Sequence, residues 1–367
     1  MNNTNTNIAF VTPSMRYGGR ERVLSILVNY FVEKKGINVH LIIYGKNRDI
    51  CFNISPKVNI LKPEWEFNEN IKTVSTIRTL LYVRRTVKAT HADIMVSFEE
   101  IWNRFALLAT VGMKIRKVIS NRNSPISNYG KFDSFLAKVL YPGADLLIAQ
   151  TQVAKEIYEK KYKLKKCIVI GNPIKKLEPE SLLSAHRENI IITVGRLMSG
   201  KNHDRLIRLF AQTHHKGWKL YIVGGDFANQ NNSVKLKQLC AELGVSEDVV
   251  FTGAQQDVNK FLLKSKIFVF ASRKEGFPNV IGEALAAGLP AISYDCIAGP
   301  REMIEDGHNG YLIPLYDDEL FKNRLESLMS DEKLLRQMGN EAVKSISRFD
   351  TDKICGLFYE NILNYED

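Results

Sequence analysis

The sequence has no long apolar run. Across its 367 residues no stretch approaches the roughly 18 consecutive apolar residues that a membrane-spanning helix needs, so no span is expected. The opening MNNTNTN is polar and uncharged, unlike a secretory leader, and the chain is expected to stay in the cytoplasm. Its five cysteines, Cys51, Cys167, Cys240, Cys296 and Cys355, form no CxxC pair and have no histidine at metal-ligand spacing. That argues against a zinc site and against a disulfide framework, leaving buried reduced thiols as the expectation. His214 and His215, beside Lys216, read as surface residues rather than ligands. Acid is scarce in the first half, where the residues up to Asn172 hold 13 Asp and Glu against 27 Lys and Arg, while the remainder holds 27 against 24. A basic half calls for an anionic partner. No helix-turn-helix, RNP-like or zinc-finger pattern accompanies the charge, so nucleic acid is the weaker choice and an anionic membrane surface the stronger.

What is present is a globular composition, 45% hydrophobic and 25% charged, in a chain long enough for two domains. Short apolar runs alternate with helix-patterned stretches. IAFVT at 8–12 is followed by Gly18-Gly19 and a helical pattern over 21–33, and further strands are expected at 39–44, 94–97, 118–120 and 146–149. Such alternation predicts parallel strands covered by helices on both faces, with ligands at the carboxyl ends of the strands. The segment TIRTLLYVRRTVK at 76–88 mixes aliphatic and basic residues and reads as a basic amphipathic helix, its patch extended by Lys114, Arg116 and Lys117; an ordinary solvated helix face is the competing reading. A polar stretch at 175–189, after Gly171-Asn172-Pro173, reads as a linker. The strand pattern then restarts at 190–194 and continues at 220–223, 249–252, 266–271, 291–294 and 311–314.

The most informative stretch is SRKEGFPNVIGEALAAGLPAISYD at 272–295. It follows the strand KIFVFA, turns through Glu275-Gly276-Phe277-Pro278, enters a helix over 280–287, stops at Gly288 and reopens as a strand after Pro290. The first amides of such a helix are unpaired and sit at its positive end, which suits an anion. Glu275 and Glu283 cannot bind phosphate themselves. They suit hydroxyl groups, and a ligand offering both phosphate and hydroxyls is a sugar nucleotide.

The pair Glu275 and Glu283, seven residues between them, with Gly276-Phe277-Pro278 after the first and Ala284-Leu285-Ala286-Ala287-Gly288-Leu289-Pro290 closing the unit, resembles the signature of glycosyltransferase family 4. Those are retaining, nucleotide-sugar-dependent enzymes. The resemblance implies an α/β GT-B fold, two facing doubly wound, Rossmann-like parallel-sheet domains with a deep cleft between them. It implies an acceptor domain over 1–172, a donor domain over 173–349, and a last helix, 350–367, crossing back onto the first domain. It also implies that Glu275 and the segment Gly276, Phe277, Pro278, Asn279 and Val280, through its amides where it has them, hold the donor sugar and phosphates, and that Glu283 binds the ribose. Gly195-Arg196 and Ser199-Gly200-Lys201 resemble the family's second-domain opening, so Arg196 and Lys201 are expected to hold the donor diphosphate. Two fixed cations can neutralise the charge of that leaving group without a metal. The loop after Gly253 is implied to meet the nucleotide base through backbone.

In the first half, Gly18-Gly19-Arg20-Glu21-Arg22 resembles the family's glycine-rich loop, with Gly19 open to a diphosphate and Gly18 and Arg20 toward the acceptor. VISNRNSP at 118–125 departs from the pattern: where relatives often carry a histidine, this chain has Arg122, which cannot act as a base and is expected to hold a diphosphate or an acceptor hydroxyl. Asp350-Thr351-Asp352 has the Asp-x-Asp form that binds metal in a different glycosyltransferase fold, but it immediately precedes the last helix and is expected to cap it. No cofactor and no metal are therefore expected. The reading is a bacterial, retaining transferase moving a hexose or N-acetylhexosamine from a UDP-sugar to a lipid-linked saccharide, in O-antigen, capsule or related glycan assembly, at the inner face of the cytoplasmic membrane. GDP-mannose as donor, a sugar-nucleotide epimerase on the same fold, and a non-catalytic nucleotide-sugar sensor are the alternatives.

Overall fold

The structure, a computed structural model, describes residues 5–16, 18–183, 186–226 and 230–364. The first four residues of the polar opening lie outside that set. The chain divides into two units, Met1–Pro173 with Asp352–Asp367, and Ile174–Thr351. The sequence reading sets its breaks at 172/173 and 349/350, and the structure sets them at 173/174 and 351/352.

The first unit holds a seven-stranded, all-parallel sheet built from β1 (Thr6–Thr12), β2 (Ile37–Ile43), β3 (Asn59–Leu61), β4 (Ile94–Phe98), β5 (Arg116–Ser120), β6 (Leu146–Ala149) and β7 (Cys167–Val169). The order across it is β3-β2-β1-β4-β5-β6-β7. The second unit holds a six-stranded parallel sheet of β8 (Ile190–Val194), β9 (Lys219–Val223), β10 (Val249–Gly253), β11 (Ile267–Phe270), β12 (Ala291–Tyr294) and β13 (Gly310–Ile313), in the order β10-β9-β8-β11-β12-β13. In both sheets the chain starts centrally, winds to one edge and then crosses to build the other, the doubly wound pattern.

These strands read as continuous apolar runs because both faces are covered. In β11 every residue is buried, and alternate side chains enter different cores: Ile267 and Val269 join Leu206, Phe210 and Phe321, while Phe268 and Phe270 join Ile281, Leu285 and Met303 on the opposite face. Each fully buried side chain of this size contributes about 1.5–3 kcal/mol relative to exposure, so the two-sided burial of the central strands dominates the stability of the unit.

The linker stretch is tied down on the second unit. Arg187 donates to the carbonyls of Ser265 at 2.7 Å and Ala287 at 2.5 Å, and the Glu188 amide donates to Lys264 O at 2.9 Å. The helix Pro179–Leu183 interrupts it. The last helix, Thr351–Leu363, belongs to the first unit, where Arg116 donates to Asn361 O at 3.1 Å. That contact corrects the expected basic patch: Arg116 is buried and Lys117 turns its Nζ to Met113 O at 3.0 Å, leaving only Lys114 of the three exposed. Among the described cysteines all five are free thiols, four buried and Cys51 half-buried.

Candidate active site

Because the strands of the second unit are parallel, the loops after β8, β9, β10, β11 and β12 emerge along one edge of its sheet. Three glycine-dependent contacts draw the first of these loops together. Gly195 N donates to Val223 O at 2.9 Å, Leu197 N to Gly225 O at 2.9 Å, and Gly224 N to Gly253 O at 3.0 Å. A Cβ on Gly224 would lie 1.9 Å from Gly195 O, so no other residue fits there. Gly253 has φ +69, the left-handed region that favours glycine.

The loop after β8 carries Arg196 and, in the 3-10 turn Ser199–Lys201, Lys201. Asn202, at φ +52, donates from Nδ2 to Ala271 O at 2.8 Å, and Arg273 N donates to Gly200 O at 3.1 Å, so this loop is stitched to the loop after β11. The result is the meeting of Lys201 with Glu275: Nζ to Oε1 is 2.6 Å, with side-chain exposures of 22% and 15%. The Lys201 ammonium also lies 5.3 Å from the Phe270 ring centre. Arg196 is exposed, while its carbonyl lies 3.3 Å from Nε2 of buried His203. Burial pulls the His203 imidazole down to about 4, and neighbouring Lys201 pushes the same way.

Glu275 is held through its backbone, its amide reaching Ile297 O at 3.5 Å. The helix Asn279–Ala286 follows, with Pro278 as N-cap and no side-chain cap. Among the described residues the amides of Gly276, Phe277 and Val280 meet no acceptor, so donors cluster at the positive end of the helix beside the Lys201–Glu275 pair. Glu283 is half-buried in the second turn of that helix. Ala287 ends it and Gly288, at φ +73, turns the chain into β12 as the sequence predicts. The sequence reading misses Gly299: it has φ +117, and a Cβ there would meet Pro278 Cδ at 2.3 Å, so it seats the mouth of the helix. Burial, with Glu275 and Asp295 nearby, pushes the Cys296 thiol up to about 12, so it is an inert neighbour rather than a nucleophile.

Two cavities adjoin this unit's loops. One, of about 340 Å³, lies at the carboxyl edge against Ser199, Asn202, Asn232, Lys235 and Arg273. The other, of about 560 Å³, is lined by Arg187, Lys266 and Gly288 near the amino ends of β11 and β12, the edge where open α/β sheets do not bind ligands.

In the first unit, Gly18 is extended and caps the helix Gly19–Val32. Arg20 is held by two carboxylates, Glu21 and Glu99. Glu99 has φ +78, a strained conformation for a residue with a side chain, and its Oε1 accepts from Asn123 Nδ2 at 3.3 Å. Together with Tyr44, Lys46, Trp102 and Phe105, these two side chains line a cavity of about 770 Å³. Tyr44 stacks on Phe105 at 5.0 Å, and among the described residues its buried hydroxyl, like Arg20 Nε, has no hydrogen-bond partner. An aromatic wall, cations, a carboxylate and unspent buried donors suit a sugar carrying anionic groups. Tyr44, Glu99 and Trp102 carry no sequence motif, and only the fold assembles them.

Arg122 stands apart from this cavity. It is buried, donates to Asn172 Oδ1 at 2.5 Å, and its guanidinium lies 4.6 Å from the Phe98 ring centre and 5.3 Å from that of Phe358. Burial lowers its basicity, yet a guanidinium stays charged at neutral pH. The guanidinium joins the last helix to the sheet, while its Nε and Nη2, both buried, meet no acceptor among the described residues. Asp350 pairs with Lys176 at 2.7 Å, and among the described residues no group of three His, Cys, Asp or Glu is arranged to hold a metal ion.

Residues 174–345 match the family described as glycosyl transferases group 1. The chain is 30% identical, over 361 residues covering 93% of it and 95% of the relative, to the N-acetylgalactosamine-N,N'-diacetylbacillosaminyl-diphospho-undecaprenol 4-alpha-N-acetylgalactosaminyltransferase of Campylobacter jejuni. Among solved structures, the lipopolysaccharide outer core galactosyltransferase WaaB superposes with a TM-score of 0.77 at 22% identity, covering 97% of this chain and 99% of that one. Anabaena HepE, solved with UDP, superposes with a TM-score of 0.79 at 19% identity, with the same coverage. These two likenesses show the fold.

Proposed function

The chain belongs to the group 1 glycosyl transferases, with the two Rossmann-like sheets of the GT-B fold, and from that premise we propose that it moves a hexose or N-acetylhexosamine from a UDP-sugar to a lipid-linked saccharide, with retention at the anomeric carbon. Membership makes it a transferase rather than an epimerase or a sensor. The observation that carries the donor assignment is the Lys201–Glu275 pair beside the uncapped helix Asn279–Ala286.

In this reading the donor diphosphate lies on the amides of Gly276, Phe277 and Val280 and takes Lys201 as its counter-ion, with Arg196 as the second cation. Glu275, released from Lys201, accepts from hydroxyls of the transferred sugar, and Glu283 from the ribose. As the glycosidic C–O bond breaks, negative charge moves onto the diphosphate, where the two cations and the amides are already aimed. In this reading both carboxylates are taken up by hydroxyls, Glu275 by those of the sugar and Glu283 by the ribose, so neither serves as nucleophile, and the acceptor hydroxyl attacks from the leaving-group face and gives its proton to the departing phosphate oxygen. The charge is met by protein groups alone, so the reaction needs no metal.

UDP as the nucleotide and a lipid-linked acceptor are supported by similarity to a relative whose name specifies a diphospho-undecaprenol acceptor and by likeness to a fold solved with UDP. The 770 Å³ cavity at Arg20, Tyr44 and Glu99 is the acceptor side of this account, and the excess of basic residues before Asn172 suits peripheral attachment at the inner face of an anionic membrane. The test is a panel of UDP- and GDP-sugars, each with and without polyprenyl-diphosphate saccharides, following free nucleoside diphosphate. Acceptor-dependent release of UDP supports the proposal; release of GDP alone, or none with any donor, overturns it.

A further inference from the structure

The helices covering one face of the first sheet carry apolar side chains outward. In the helix Lys131–Leu140, Ala137 is buried and Asp133 pairs inward with Arg104 at 3.0 Å, so the opposite stripe faces solvent: Phe132 is 76% exposed, Phe135 65% and Val139 57%. These positions, i, i+3 and i+7, lie on one side of the helix. In the helix Lys72–Ala89, Val83 and Val87 are buried while Val74 and Ile77 are 60% and 53% exposed, with Leu81 next on the same stripe. Between the two packs the helix Glu100–Ala109, with Ile101 and Leu108 exposed at the same spacing. Soluble helices normally point such stripes at a core, and a large exposed apolar surface marks an interaction site.

The charge around it identifies the occupant. The stripe of Lys72–Ala89 continues into exposed Arg85 and Lys88, and that helix contains five basic residues and no acid. Exposed Lys131 and Lys138 flank the phenylalanines, and exposed Lys114 follows the middle helix. Aromatic side chains ringed by long cations fit a bilayer interface, with rings at the acyl boundary and ammonium groups among anionic headgroups. A second copy of the chain would bring the same cations face to face. We propose that this three-helix face inserts into the interface of an anionic bilayer, with Phe132 and Phe135 as its deepest anchors. It names the surface by which the first unit meets the membrane, and it stands whether or not the donor chemistry is as proposed above.

The experiment is flotation of the full chain with vesicles of phosphatidylglycerol and phosphatidylethanolamine, compared with neutral phosphatidylcholine vesicles. Binding to the anionic vesicles is expected, weakened roughly tenfold or more by Phe132→Ser and again by Phe135→Ser, as removal of one buried aromatic each predicts. Arg85→Glu with Lys88→Glu should weaken it too, and added salt should mimic that loss. UDP binding, measured on the same variants, should not change, which separates this proposal from the donor assignment. As a positive readout, the Phe132→Trp variant should gain fluorescence quenched by bromolipids. Flotation unchanged in the double serine variant, no quenching, or a dimer that dissociates in that variant without any vesicle binding would each overturn the proposal.

Discussion

Glu275→Gln is the most discriminating perturbation, because its effects on binding and on turnover have opposite signs. Without donor, the Glu275 carboxylate occupies Lys201 at 2.6 Å, with both side chains largely shielded. A diphosphate must take the ammonium away from it. Exposed pairs of this kind contribute about 0.2–1 kcal/mol, and partial shielding places this one near the upper end, about 1 kcal/mol. Neutralising the carboxylate removes that competition, so UDP, which has no sugar for Glu275 to hold, should bind about fivefold tighter. Turnover should fall, since loss of one preorganised polar group at a reacting centre typically costs on the order of 10²–10³ in kcat. The fold should survive with a loss of Tm of about 2–4 °C. Calorimetry with UDP and single-turnover release of UDP from the donor measure the two sides. Unchanged turnover together with unchanged or weaker UDP binding would refute the reasoning.

Lys201→Ala should lose on both sides, with weaker UDP binding and kcat reduced by roughly 10²–10³, because it removes the counter-ion itself. Gly224→Ala forces a methyl group to within 1.9 Å of Gly195 O, so a destabilisation of roughly 1–3 kcal/mol and weaker UDP binding are expected, read by thermal unfolding and calorimetry. For His203 the folded value, about 4, lies below the unfolded value near 6.5, so the neutral native form contributes stability that is full above pH 6.5 and lost as pH falls toward 4. Between pH 6.5 and 5 that loss is about 1.5 kcal/mol, and His203→Gln should remove it from the pH dependence of urea unfolding. Arg122→Met should lower stability by about 2 kcal/mol through its lost Asn172 bond and ring contacts, checked by urea unfolding.

The central strands were legible because a buried parallel strand leaves a signal no other element shares. Leu146–Ala149, Ile190–Val194 and Ala291–Tyr294 form over the same residues the apolar runs predict. The edge strands Asn59–Leu61 and Cys167–Val169 escaped notice, each only three residues long and exposed in part. Helix starts were less legible than helix bodies: Lys72–Ala89 begins four residues before the pattern suggests, with no side-chain cap at Ile71 to mark it. The partnership of Lys201 with Glu275 is a tertiary fact across 74 residues, prepared by Asn202 and Ala271, and spacing alone could not supply it. Phe132 and Phe135 were likewise out of reach of the sequence. They carry no motif, and only the orientation imposed by Ala137 and the Asp133–Arg104 pair turns them to solvent.

The most direct measurement is a crystal structure of the protein with UDP bound. The account predicts the β-phosphate on the amides following Gly276, Lys201 Nζ moved from the Glu275 carboxylate to a phosphate oxygen, and no metal ion bridging the two phosphates. UDP seated away from the helix Asn279–Ala286, or a Lys201–Glu275 pair left intact beside the bound nucleotide, would contradict it.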